Sequence, residues 1–148
     1  MTTISQPTLT PSSINDFAVA WYQALDRHDE LDSVLKMLVP EGLEMRFPET
    51  TARGYEGFTE WYKAVTSRFF DEVHTVRRVD VVTSDGSTAE VKVVVNWQAS
   101  IHDGREAKSK WLGFDAYQTW IMVAGPEGPQ IKTYIVDQLA PMPGSAPL

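Results

Sequence analysis

The 148-residue chain has no cysteine. That removes disulfides, thiolate nucleophiles and thiolate-held zinc from consideration. Histidine is scarce as well: only His28, His74 and His102 are present. Their positions do not have metal-ligand spacing and no cluster of carboxylates accompanies them, so no metal and no other cofactor is expected. No apolar run approaches the roughly 18 residues that cross a bilayer. The opening "MTTISQPTLT" lacks the basic and apolar segments of a secretory leader, which makes a cytoplasmic protein the expectation. Clustered bases are confined to Arg77-Arg78 and a scattering from Arg105 to Lys110, and the formal net charge is −7. A nucleic-acid partner, which draws on clustered lysine and arginine, is therefore not expected. No glycine-rich phosphate loop follows a strand pattern, and there is no internal repeat.

What remains is an ordinary globular composition, 43% hydrophobic and 22% charged, at a length that suits one domain with its own core. Residues 1–11 are rich in Thr, Ser and Pro, and residues 140–148, "APMPGSAPL", carry three prolines and a glycine. Both read as flexible tails around a single domain spanning 12–139.

Within that domain Ile14, Phe17, Ala18, Trp21 and Leu25 share one helical face and predict a helix from about Ser12 to His28, opened by Ser13 and Asp16 in the manner of a capping box. Leu31, Val34, Leu35 and Leu38 predict a second, shorter helix ended by Pro40 and Gly42. "LEMRF", residues 43–47, alternates like a half-buried strand. A third helix is predicted from about Gly54 to Phe70, with Tyr55, Phe58, Trp61, Tyr62, Val65 and Phe69 on its apolar face. Strands follow: "HTVRRVDVV", then "TAEVKVVVNWQAS" after the turn "SDGS", then "KWLGFDAYQTWIMV" after "HDGR", then "QIKTYIVDQL" after "GPEGP". In the first of these, His74 and Val76 have one parity and Val79 and Val81 the other, which predicts a bulge at Arg77-Arg78. The order gives an α+β class: three N-terminal helices packed on one face of a strongly bent, mainly antiparallel sheet.

Two amphipathic helices, a strand ending in "FP", a third helix opening "GYEGF" and carrying "WY", and "HTV" before a long meander resemble the NTF2-like superfamily, in particular its SnoaL-like, polyketide cyclase-like branch. The resemblance covers about residues 12–139. It implies a cone with an internal pocket, and members that include isomerases, dehydratases, cyclases, epoxide hydrolases and non-catalytic binding proteins. The ketosteroid isomerase branch has its catalytic carboxylate before the proline of the first strand, where this chain has Phe47. His74 matches one histidine of the scytalone dehydratase branch, with no second match. Asp80, Asp115, Asp137 and Arg78 are the residue types of an epoxide hydrolase. For the acid/base Asp of a polyketide cyclase, Asp137 is the best match.

The candidate site built on this is catalytic His74 and Asp137, with Trp21, Tyr22, Phe47, Trp61, Tyr62 and Trp97 as substrate-binding residues. An imidazole titrates near ~6.5 and can move protons at neutral pH. His74 is equally suited to tying its loop to the sheet by a hydrogen bond. Two functions follow. One is cofactor-free acid/base chemistry of cyclase, dehydratase or isomerase type on a small, largely apolar molecule. The other is a binding or scaffolding domain with the same pocket and no chemistry. Chemistry requires two or more polar groups converging on the cavity, whereas binding requires shape and one orienting group. Valines on both faces of "VKVVVNW" leave a sheet face that the helices cannot cover, so a homodimer joined through the sheet is expected.

Overall fold

In a computed structural model, residues 8–102 and 104–148 are described. Three helices, α1 (Pro11–Asp26), α2 (Leu31–Leu35) and α3 (Gly54–Arg68), accompany six strands: β1 (Glu44–Arg46), β2 (Thr51–Arg53), β3 (Phe69–Ser84), β4 (Thr88–Ile101), β5 (Lys110–Gly125) and β6 (Gly128–Pro141). The strands form one open sheet in the order β2-β1-β6-β5-β4-β3. All pairings are antiparallel except β1 with β6, which run parallel. The α+β class holds. The short strand β2 and the parallel pairing are additions that the sequence pattern does not announce.

The predicted face of α1 is the buried one: Ile14, Phe17, Ala18, Trp21 and Leu25 are all inside, together with Tyr22. Each large apolar side chain so buried contributes on the order of 1.5–3 kcal/mol. The helix starts earlier than its sequence suggests. Thr10 is the cap, its side chain accepts from the Ser13 amide at 3.0 Å, Ser13 returns the bond, and Pro11 takes the first turn, where a missing N–H costs nothing.

Two stretches that the sequence assigns to tails carry structure. Residues 1–7 lie outside the described residues, but Leu9 is buried and its amide donates to the Gly86 carbonyl at 2.7 Å. At the other end β6 runs through Pro141, and the chain then stays on β5: Met142 donates to the Gly113 carbonyl and Ala146 to the Trp111 carbonyl, both at 2.9 Å. The turn at 102–105 includes residue 103, which lies outside the described residues.

The inner face of the sheet packs against the helices. On β4 it carries Ala89, Val91, Val93 and Val95; on β5 it carries Leu112, Phe114, Ala116, Trp120 and Met122. The bulge expected at Arg77-Arg78 is present as a register shift between Val76 and Arg78. Two further shifts, between Phe70 and Val73 and between Val81 and Thr83, bend β3 along its length.

Candidate functional site

Between the helices and the inner face of the sheet lies a half-open cavity of about 890 Å³. That volume suits a small-molecule ligand. Its mouth is aromatic. Phe47, at the end of β1, stacks flat on Trp61 of α3 with ring centroids 3.8 Å apart and an interplanar angle of 1°. The Trp61 indole donates to Glu49 at 3.0 Å.

The floor is polar but neutral. The Tyr22 hydroxyl donates to Gln118 Oε1 at 3.1 Å and lies 2.9 Å from the Tyr134 hydroxyl, and the Trp120 indole donates to the same Gln118 oxygen at 2.9 Å. An indole can only donate, so the oxygen of Gln118 is the end facing Trp120. Burial lifts the Tyr22 phenol well above its usual value, and the neighbouring Tyr134 adds to the rise. Burial pushes Tyr134 up to about 12. Both phenols are therefore uncharged hydrogen-bonding groups.

The wall carries two ionisable pairs, beside Glu49, Glu60 and Arg68, which also line the cavity. His74 Nδ1 lies 2.5 Å from Asp26 Oδ1, and the His74 backbone amide donates to Asp26 Oδ2 at 2.8 Å. One carboxylate thus grips both the ring and the backbone of a single residue. The imidazole lies between aromatic rings, stacked on Tyr22 at 4.6 Å and on Trp97 at 6.2 Å. Trp97 is its register partner across β3 and β4. Next to this pair, Glu72 Oε2 lies 2.5 Å from His28 Nε2, and Glu72 Oε1 accepts from the Trp97 indole at 3.1 Å. Among the described residues no three His, Asp or Glu side chains come together as a metal site.

The structure brings Tyr22, Phe47, Trp61, Trp97 and His74 to one cavity. It does not bring Trp21, Tyr62 or Asp137 there. Trp21 is wholly buried one layer back, against Phe58 and Tyr134. Tyr62 faces α2's approach instead of the cavity: its hydroxyl donates to the Asp29 carbonyl at 2.6 Å and its ring stacks on Phe58. Asp137 is the extra residue of a bulge, skipped where Tyr117 pairs with Gln138 and Gln118 with Val136. The bulge turns it outward, where it accepts from Thr119 at 2.6 Å, so the partner of His74 is Asp26 and not Asp137.

Sequence reasoning missed Asp26, Glu72 and Gln118. Each had a local signal. Asp26 follows Ala18 and Tyr22 at steps of four along the buried stripe of α1. Glu72 shares the parity of His74. Gln118 falls in phase with Phe114, Ala116 and Trp120 on the inner face.

No family model and no curated protein sequence matches the chain. Solved structures do. An NTF2-like family protein from Streptomyces avermitilis, named a candidate dehydratase, aligns with TM-score 0.72 and 15% identity over 90% of this chain and 99% of that one. A hexachlorocyclohexane dehydrochlorinase from Novosphingobium barchaimii aligns with TM-score 0.71 and 13% identity over 93% and 92% of the two chains. A ketosteroid isomerase-like protein from Erwinia carotovora atroseptica aligns with TM-score 0.67 and 19% identity over 92% and 96%. The bent mixed sheet, the three helices on its inner face and these alignments agree: the chain has the NTF2-like fold.

Proposed function

We propose that the cavity binds a small, largely apolar carbonyl or hydroxylated ring compound and that His74 moves a proton on it without a cofactor, as in the dehydratase, isomerase and cyclase chemistry of SnoaL-like proteins. The observation that carries this reading is the grip of Asp26 on His74. With Nδ1–H donated to the carboxylate, Nε2 holds the lone pair, and it is the ring nitrogen left for the cavity that His74 lines. Asp26 also fixes the ring plane and balances the charge of an imidazolium as it forms. An imidazole so oriented in an apolar cavity is a general base. Fold likeness adds support at the level of reaction type, since dehydrochlorinase, dehydratase and isomerase are all names for reactions that take a proton from carbon.

The test is deuterium exchange at the carbon next to the carbonyl of small ring ketones, followed by NMR in heavy water. The wild type should exchange faster than buffer. His74→Gln should lose 10²–10⁴ of that rate, and Asp26→Asn, whose amide can accept only one of the two bonds that Asp26 accepts and so no longer holds the Nδ1–H tautomer, should lose a large part of it as well. Ketones that bind while exchanging no faster than in buffer would establish the alternative, a binding domain without chemistry.

The same reading includes a homodimer joined through the outer face of the sheet. Val73, Tyr117 and Trp111 stand exposed there beside Val94, apolar surface that a second copy would bury. Sedimentation velocity should give a dimer at micromolar concentration; a monomer removes this part of the reading.

A further inference from the structure

The end of α1 meets the start of β3 in a crossed arrangement. Asp26 and His28 on one segment meet Glu72 and His74 on the other, Asp26 with His74 and His28 with Glu72, each pair at 2.5 Å. Relative to the cavity the pairs are inverted. In the first the imidazole lines the cavity and the carboxylate stands behind it. In the second the carboxylate lines the cavity and the imidazole stands behind. The Glu72 side chain is 8% exposed and that of His28 is 29% exposed. Glu72 therefore has the cavity on one side and, through His28, solvent on the other. The backbone singles out the same place. Among the described residues only two other than glycine adopt left-handed φ, His28 at 51° and Asp71 at 50°, one in each crossing segment. Such conformations are uncommon, and they cluster where side chains must be aimed.

Building on the reading of His74 as the base, we propose that Glu72 is the acid of the same site, that His28 relays protons to it from solvent, and that the substrate is a β-hydroxy carbonyl compound. His74 Nε2 takes the proton from the carbon next to the carbonyl, and that electron pair forms the enolate. As the enolate collapses into the new C=C bond, the bond from carbon to the β-oxygen breaks. The proton of the Glu72 carboxyl goes to the departing oxygen, which leaves as water. His28 returns a proton to Glu72 across their short contact and takes one from solvent, to which His74 loses its own. Hydroxide is a poor leaving group and requires that proton, whereas chloride departs with its electron pair and requires none. A base alone suffices for halide loss; a second pair, inverted and connected to solvent, fits loss of water.

The leaving group makes the assignment testable. The probes are the aldol adduct of benzaldehyde and acetone and its β-chloro counterpart, which both give benzalacetone, followed by its ultraviolet absorbance above the uncatalysed rate. Glu72→Gln keeps an acceptor for the Trp97 indole. It should slow the hydroxy ketone about a hundredfold or more and leave the chloro ketone within about threefold of wild type. His74→Gln should slow both. Thermal denaturation checks folding, and His28→Gln, which leaves Glu72 in place, is the second variant and should also slow only the hydroxy ketone. Equal slowing of both ketones, or of neither, in both variants overturns the assignment of Glu72 and leaves His74 as the base. Selective slowing at Glu72 with no effect at His74 overturns the base and keeps the acid. A wild type that turns over neither ketone overturns both.

Discussion

Gln118 and Glu72 line the same cavity and each accepts a hydrogen bond from an indole, from Trp120 at 2.9 Å and from Trp97 at 3.1 Å. Around Gln118 every neighbour is neutral. Tyr22 and Tyr134 are held uncharged by burial, and their hydroxyls are spent on one another and on the amide. Glu72, in contrast, has an ionisable partner, His28, and that partner reaches the surface. A buried polar group is stabilising when its partners satisfy it, and it is chemically useful when a proton can reach and leave it. The floor meets the first condition and the wall meets both. Breaking the wall should thus be read in rates and breaking the floor in stability.

The largest stability effect is expected at alkaline pH. Both floor phenols have folded-state pKa values raised above the unfolded value of about 10. The folded state therefore holds its phenolic protons where the unfolded chain has lost them. Stability should be complete below about pH 10 and should fall as pH rises toward about 12, the value of Tyr134. Urea midpoints of wild type and Tyr134→Phe at about pH 8 and about pH 11 measure it. The variant should lose about 1 kcal/mol at the lower pH, for one hydrogen bond, and fall less steeply at the higher. Parallel pH dependence in the two proteins would show that the floor is not where alkali acts. His74→Gln should keep the wild-type alkaline slope.

The smallest effect belongs to Asp137, the outward residue of the β6 bulge. Asp137→Ala removes an exposed hydrogen bond from Thr119 and should change stability by no more than about 0.5 kcal/mol. The exchange rate at ketone carbons should stay at the wild-type value; a drop comparable to that of His74→Gln would mean that Asp137 reaches the cavity after all.

These three residues also mark what a sequence can disclose. The buried stripe of α1 and the inner row of β4 follow from spacing, because each side chain's direction is set by its neighbours along the chain. The bulge at Arg77-Arg78 is legible for the same reason: a valine parity changes there. β6 defeats this logic. Its bulges at Lys132 and Asp137 each reset the phase, so Ile131, Tyr134, Val136 and Leu139 all point inward at irregular steps and strict alternation identifies neither face. The pairing of His74 with Asp26 lies beyond local pattern altogether. The two are 48 positions apart, and only the docking of α1 on β3 brings them together. The cavity-lining aromatics were partly legible because any aromatic stripe of a cone faces inward, but whether a ring fills the core, as Trp21 does, or lines the space, as Tyr22 does, depends on one helical step.

The parallel contact of β1 with β6 sets the order in which the site can be assembled. β3 to β6 form a run of neighbouring hairpins, whose strands need to close only short loops. β1 joins them by pairing Met45 with Tyr134, a closure across most of the chain. Loop closure over such a separation is entropically costly and favours late formation. Glu72 and His74 on β3 and Gln118 on β5 belong to the early meander, Asp26 and His28 reach them only when α1 docks on β3, and Phe47 and its stack on Trp61 wait for β1. The strands that bear Glu72, His74 and Gln118 are thus expected to pair before the cavity has its mouth.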